Sequence, residues 1–249
     1  MRILPTSIVC LCAAWLVGCS DERMPEPALT ATPSLVVSVA DADSKALITG
    51  FTSGDQLGFC LTKSGSTAPY EDEADCFNAP FTYLSSGDWR EERTINLVQA
   101  EGKAYAYFPY VADLTDGTAV PLTNGVDRLF TRTPQRMSAT NSTAVVQLGH
   151  AMALIKLTLS SQLGTVSRVR LRKVPASGTL NLYTGAVTPS SETTVYDMEA
   201  AGAEWKTGVP VVPGTDVEVM VYTNQGCYVS KPGVVTTAGK VYNLTIRAN

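Results

Sequence analysis

Apolar and polar residues alternate with a period of two from about residue 34 to the end of the chain. In Ser34–Val39, positions 35, 37 and 39 share one face and positions 34, 36 and 38 the other. Val217, Val219 and Val221 alternate with Glu218, Met220 and Tyr222, and Tyr242, Leu244 and Ile246 with Val241, Asn243 and Thr245. Between such runs lie turn-forming clusters: Thr52-Ser53-Gly54-Asp55, Ser85-Ser86-Gly87-Asp88, Asp116-Gly117, Asn124-Gly125, Pro213-Gly214 and Ala238-Gly239-Lys240. No long segment carries a 3.6-residue apolar period with caps. Many short strands joined by tight turns predict an all-β chain built of sandwiches.

The longest apolar run after the N-terminus, Val145 to Ser160, changes phase partway. Val146, Leu148, His150, Met152 and Leu154 lie on one face, whereas Ile155, Leu157 and Leu159 lie on the other. A switch near Ala153 marks a bulge, or a strand that leaves one core and enters another. A polar stretch from Thr131 to Thr143 precedes it, so a domain boundary is expected near residue 142, with one sandwich over 34–142 and a second over 143–249.

Residues 1–18 do not fit that pattern: Arg2 precedes an apolar stretch too short to span a bilayer, with no basic stop-transfer flank. They read as a signal peptide ending in Leu16-Val17-Gly18-Cys19, a bacterial lipobox in which the Cys19 thiol takes a diacylglycerol. Several acyl chains on one cysteine hold a protein stably at a membrane, at about 0.8 kcal/mol per buried methylene. Residues 19–33, with Pro25, Pro27 and Pro33, then form a tether.

Composition narrows the function. A net charge of −4 argues against nucleic acid, which selects basic surfaces. Charged residues make up only 17% of the chain, as suits half-buried strands. Beyond the leader and Cys19 remain Cys60, Cys76 and Cys227, at no metal-ligand spacing, so no metal site is expected. Cys60 and Cys76 flank a polar segment as two hairpin arms would, and a disulfide between them suits an exported protein. Cys227 is then left as a free thiol, expected to be buried.

Catalytic chemistry finds little support. A hydrolytic triad needs a base, usually histidine, and the single histidine, His150, sits in the apolar strand, where it reads as structural with one hydrogen-bonded nitrogen. No Gly-x-Ser-x-Gly elbow, phosphate loop or His-Glu-x-x-His helix occurs, and no carboxylate pair stands out. The run Glu71-Asp72-Glu73-Ala74-Asp75 offers oxygen ligands for calcium but lacks interleaved Gly and Asn, so it reads as a solvated hairpin tip. Arg168, Arg170 and Arg172 give one basic strand face, suited to an acidic glycan or partner, or to discouraging unwanted strand pairing. The aromatic patch Tyr105 to Tyr110 is of a kind that stacks sugars, but in a β protein such rings belong first to core and rim.

Several segments together resemble the fimbrillin-like lipoproteins of anaerobic Gram-negative bacteria. Phe51-Thr52-Ser53-Gly54-Asp55-Gln56-Leu57-Gly58-Phe59 is similar to that family's early F-x-x-GD-x-I/L-G segment. Ala104-Tyr105-Ala106-Tyr107-Phe108-Pro109-Tyr110 resembles its aromatic strand, and Leu148 to Leu157, containing His150-Ala151-Met152-Ala153, its central strand. Gly178 to Gly185 and Ala238 to Leu244 fit its later blocks. The resemblance implies two transthyretin-like β-sandwich domains in tandem, no cofactor, and a surface role in fimbriae alongside other fimbrial subunits. Ser20-Asp21-Glu22 resembles the acidic signal that sends such lipoproteins to the outside of the outer membrane.

The family's polymerising members are cut after an arginine that follows the first strand. The equivalent position here is Lys45. The expectation is therefore a non-enzymatic fimbrial subunit, structural or accessory, assembled by strand exchange after proteolysis near Lys45. The alternative is a surface lipoprotein that binds glycans or host proteins without polymerising.

Overall fold

The computed structural model describes residues 29–40, 48–198, 208–214 and 216–247. Among them the chain is all-β, with three single 3-10 turns. In the first part run β1 (Ser34–Val39), β2 (Gln56–Lys63), β3 (Ala79–Tyr83), β4 (Trp89–Glu91) and β5 (Gly102–Phe108). They are followed by β6 (Val120–Leu122), β7 (Leu129–Thr131), β8 (Gln135–Met137) and β9 (Thr143–His150). Then come β10 (Ala153–Leu159), β11 (Val166–Pro175), β12 (Gly178–Leu180), β13 (Val187–Pro189) and β14 (Thr193–Met198). The last are β15 (Val209–Val211), β16 (Glu218–Thr223), β17 (Gly226–Ser230) and β18 (Val241–Ile246).

One large sheet has the order β1-β9-β7-β5-β2-β3-β4, with β8 also paired to β5, and only β1 and β9 run parallel in it. Its end strands β1 and β4 approach each other, so the sheet curls around a core containing Leu35, Phe59, Phe81, Trp89, Phe108 and Leu148. After β9, the three-stranded sheet β15-β10-β18 faces the four-stranded sheet β14-β11-β16-β17 across a second core of Ile155, Leu157, Val169, Leu171, Val219 and Val221. A small sheet, β13-β12-β6, pairs Val120–Leu122 with Gly178–Leu180 and so ties the early chain to the late chain.

The alternation read from the sequence maps onto these cores. Leu35 is buried and Val37 and Val39 partly so, while Val36 points to solvent. Val217, Val219 and Val221 are all fully buried. Turn chemistry also holds where tested: Gly54 takes a φ of 96°, which its lack of a Cβ permits, and Asp55 caps the turn through Thr52 N–H to Oδ2 at 2.7 Å.

The boundary expected near residue 142 is displaced. Thr143–His150 pairs with β1 and β7 and therefore belongs to the large sheet. The polar stretch before it holds β8 and a tight turn, with Ser138 and Asn141 bonded backbone to backbone, and it stays within the same sheet. The change of core falls at Ala151–Met152, between β9 and β10, at the phase switch in the apolar pattern.

Candidate functional site

The segment β9–β10 is a spine that carries the first and last strands of the fold. β1 lies parallel to β9 in the register Ser34↔Thr143 to Val39↔Leu148, and β18 lies parallel to β10 in the register Leu154↔Val241 to Leu159↔Ile246. Both are edge strands. At its ends β1 is held by Ser34 N–H to Ser142 O (2.8 Å) and Ala40 N–H to Leu148 O (2.7 Å), and just before it Ala31 exchanges two backbone bonds with Leu97. Its inward face plugs the large core through Leu35, with Val37 and Val39 alongside. Removing it would leave the β9 ladder unpaired beside an apolar groove.

A third cluster fills the seam where the two parts of the fold meet: Cys60, Tyr105, Tyr107, Leu122, Met152 and Leu180 are among its buried members. β2 and β5 can line it because both faces of each strand are covered. Leu57, Phe59 and Leu61 face the large core, whereas Cys60 turns to the seam; Ala104 and Ala106 face the core, Tyr105 and Tyr107 the seam. The Tyr107 hydroxyl donates to Asn78 Oδ1 (2.7 Å) and accepts from Val111 N–H (3.1 Å), and Asn78 Nδ2 donates to Val111 O (2.9 Å). Burial raises the Tyr107 phenol far above its usual range.

Beside this ring, the Arg128 guanidinium sits 5.6 Å from the Tyr107 centroid and donates to Pro109 O. Burial lowers its pKa, partly opposed by Tyr107. His150 Nδ1 lies 2.8 Å from Asp127 Oδ2. The histidine thus has one hydrogen-bonded nitrogen, as expected from its place in the strand. Its partner was not legible: Asn124-Gly125 reads only as a turn, although Asp127 and Arg128 follow just after Val126.

The structure does not bring the expected site residues together. Cys19 and Lys45 lie outside the described residues. The expected Cys60–Cys76 disulfide is not formed, and both thiols are free. The reason is the pleat: Cys60 faces the seam, whereas Cys76, in the β2–β3 connection, belongs to the large core on the other side of the sheet. Cys227, expected to be buried, is exposed on the edge strand β17.

Of the remaining candidates, Glu71, Asp72, Glu73 and Asp75 are exposed on two short 3-10 turns between β2 and β3, with Lys63 Nζ 2.6 Å from Asp72. Tyr105 and Tyr107 are buried rather than offered to a ligand. Arg168, Arg170 and Arg172 lie on the outer face of β11, opposite the buried Val169 and Leu171.

A curled, mostly antiparallel sheet, a second sandwich-like core and the parallel edge strands β1 and β18 define an all-β fold among the described residues. The family profile of the fimbrillin-like proteins matches residues 44–249, and the chain belongs to that family. Known structures share the fold. A candidate cell adhesion protein from Bacteroides uniformis superposes with a TM-score of 0.66 at 17% identity, over 86% of this chain and 93% of the other. A second, from Bacteroides ovatus, gives 0.57 at 17% identity, covering 86% and 92%. A fimbrial assembly protein from Parabacteroides distasonis gives 0.55 at 12% identity, covering 88% and 92%. No curated protein matches the chain in sequence.

Proposed function

We propose that this chain is a subunit or accessory protein of a surface fimbria, with no catalytic activity, built as two transthyretin-like sandwiches and anchored to the outer membrane through lipid on Cys19. Family membership supports the fimbrial reading, as do fold relatives described as adhesion or fimbrial proteins. The observation that carries the mechanism is the edge position of β1. This strand is bonded through its length to β9 alone, plugs the large core with Leu35, and precedes Lys45 in sequence. Cleavage near Lys45 frees β1 from the rest of its sheet, and a neighbour's strand then takes its place by strand addition. Such contacts are head-to-tail and build open filaments. β18 is the matching donor, because it already runs parallel along β10 as an edge strand.

Limited digestion with a lysine-specific protease, followed by size analysis and electron microscopy, tests this. Cut chains form filaments and Lys45→Ala chains stay monomeric. Cut chains that remain monomeric at high concentration sink the strand-exchange mechanism. For the anchor, fatty-acid labelling marks the wild type and not Cys19→Ala.

A second reading, a non-polymerising surface protein that binds glycans, draws on one open cleft of about 320 Å³. Phe77 and Tyr183 line it with Asp116, Thr115 and Thr118, a mixture of rings, hydroxyls and a carboxylate that suits a sugar.

A further inference from the structure

The outer face of the sheet β14-β11-β16-β17 is cationic on a chain whose net charge is −4. Register places Arg170 between Asp197 and Met220, with Val229 beyond, and Arg168 beside Tyr222, with Cys227 beyond. Arg170 Nε lies 2.5 Å from Asp197 Oδ1 and its guanidinium 5.9 Å from the Tyr222 ring. Arg168 reaches the same carboxylate only at 4.0 Å, and Arg172 donates to the Met220 sulfur at 3.7 Å. Lys173 and Lys231 share Glu218 at 2.7 and 3.2 Å. Among the described residues, Asp197 and Glu218 are the carboxylates that meet Arg168, Arg170, Lys173 and Lys231, and Arg172 meets the Met220 sulfur, so the arginines outnumber the acids on this strand surface.

The complement of that surface is on the same chain. The β2–β3 loop presents Glu71, Asp72, Glu73 and Asp75, all exposed, and among the described residues Asp72 alone of these meets a cation, Lys63. None of them pairs with the arginine face of its own chain.

We infer that the acidic loop of one copy docks on the arginine face of the next, a second, charge-driven contact between subunits. A second copy fits better than a free polyanion for two reasons. Exposed Val195 and Val229 and the Met220–Tyr222 pair are interleaved with the arginines, and arginine, tyrosine and methionine among apolar groups are what protein interfaces select. The surplus charge is also modest, because Asp197 and Glu218 already neutralise part of it. The two surfaces differ, so the contact is heterologous and repeats along a filament. It rests on the reading of the chain as a fimbrial subunit, but it needs no cleavage and no strand exchange.

The test uses the whole uncut chain carrying Lys45→Ala, followed by sedimentation at low and high salt. Low salt gives reversible association that disappears as salt rises. Arg168→Glu with Arg172→Glu, and separately Glu71→Lys with Glu73→Lys, each weaken it roughly a hundredfold, because like charges then meet. An equal mixture of the two double variants associates again, since each loop finds an opposite face on the other. Because these chains cannot be cut at residue 45, a failure of filament formation after cleavage leaves this result untouched. Three outcomes overturn the proposal: a wild type that stays monomeric at low salt, association that survives the loop reversal, or a mixture that does not recover. Heparin binding lost only in the arginine variant, with no self-association, would assign the face to an acidic polysaccharide instead.

Discussion

Asp127 and His150 meet 2.8 Å apart, carboxylate to Nδ1, at side-chain exposures of only 7% and 8%. Asp127 precedes β7 and His150 ends β9, so the pair fastens neighbouring strands just before the chain changes core. Among the described residues His150 Nε2 has no hydrogen-bond partner, so the ring is hydrogen-bonded through Nδ1. Asp127→Ala leaves a buried imidazole without a partner and is expected to cost about 1.5–3 kcal/mol in urea unfolding. Asp127→Asn keeps an oxygen acceptor and costs less. Equal losses for both would mean that packing, not the hydrogen bond, holds the pair.

Much of the fold was legible because one-sided burial writes itself as alternation. Leu35, Val37 and Val39 face the core, and Arg168, Arg170 and Arg172 face outward, as their spacing requires. The phase switch near Ala153 also had a physical cause, since the chain there passes from one core to another. The disulfide failed for a related reason. β2 is buried on both faces, so nothing in its pattern shows to which side Cys60 points. The boundary near residue 142 failed because a polar turn inside one sheet looks like a linker. Pairs such as Asp127–His150 depend on register between distant strands, which no local pattern records.

The free thiols make a prediction about pH. Burial pushes the Cys60 thiol up to about 12 and the Cys76 thiol up to about 11, the latter helped by the Glu73 and Asp75 carboxylates. A raised folded pKa means that the folded state holds its proton more tightly. That contribution to stability is complete below the unfolded thiol value of about 8.5 and is lost as pH climbs through the folded values. Urea midpoints are therefore expected to fall above pH ~9, and less steeply in Cys60→Ala. At neutral pH, iodoacetamide should label exposed Cys227 in the native protein, and Cys60 and Cys76 only after unfolding. Native labelling of Cys60 at the rate of Cys227 would contradict the seam packing.

Gly58 is a packing requirement rather than a turn. A Cβ there would lie 2.2 Å from Cε1 of Tyr107, whose ring cannot retreat while its hydroxyl holds Asn78 and Val111. Gly58→Ala is expected to destabilise by about 1–3 kcal/mol. Tyr107→Phe removes the hydroxyl and strands the Asn78 and Val111 groups, at about 1–3 kcal/mol. Both should appear as lower thermal midpoints, and an unchanged Gly58→Ala midpoint would show that the ring yields freely.

The first strand gives the sharpest prediction, because its two faces should behave oppositely. Leu35 is 5% exposed and packs in the large core, while its neighbour Val36 is 55% exposed beside Val145 at 61%. Leu35→Ala is expected to cost about 2 kcal/mol or more, and Val36→Ala less than about 0.5 kcal/mol. The same asymmetry should govern refilling of the groove. After cleavage near Lys45 and loss of β1, a labelled peptide spanning residues 31–40 should bind the cut chain, since it restores both the β9 ladder and the Leu35 plug. A peptide carrying Leu35→Asp should fail, for it would bury a carboxylate among Phe59, Phe81 and Leu148. A peptide carrying Val36→Asp should still bind. Fluorescence anisotropy reads all three, and equal binding of the two aspartate peptides would mean that the strand is recognised by its backbone alone, with no apolar groove to fill.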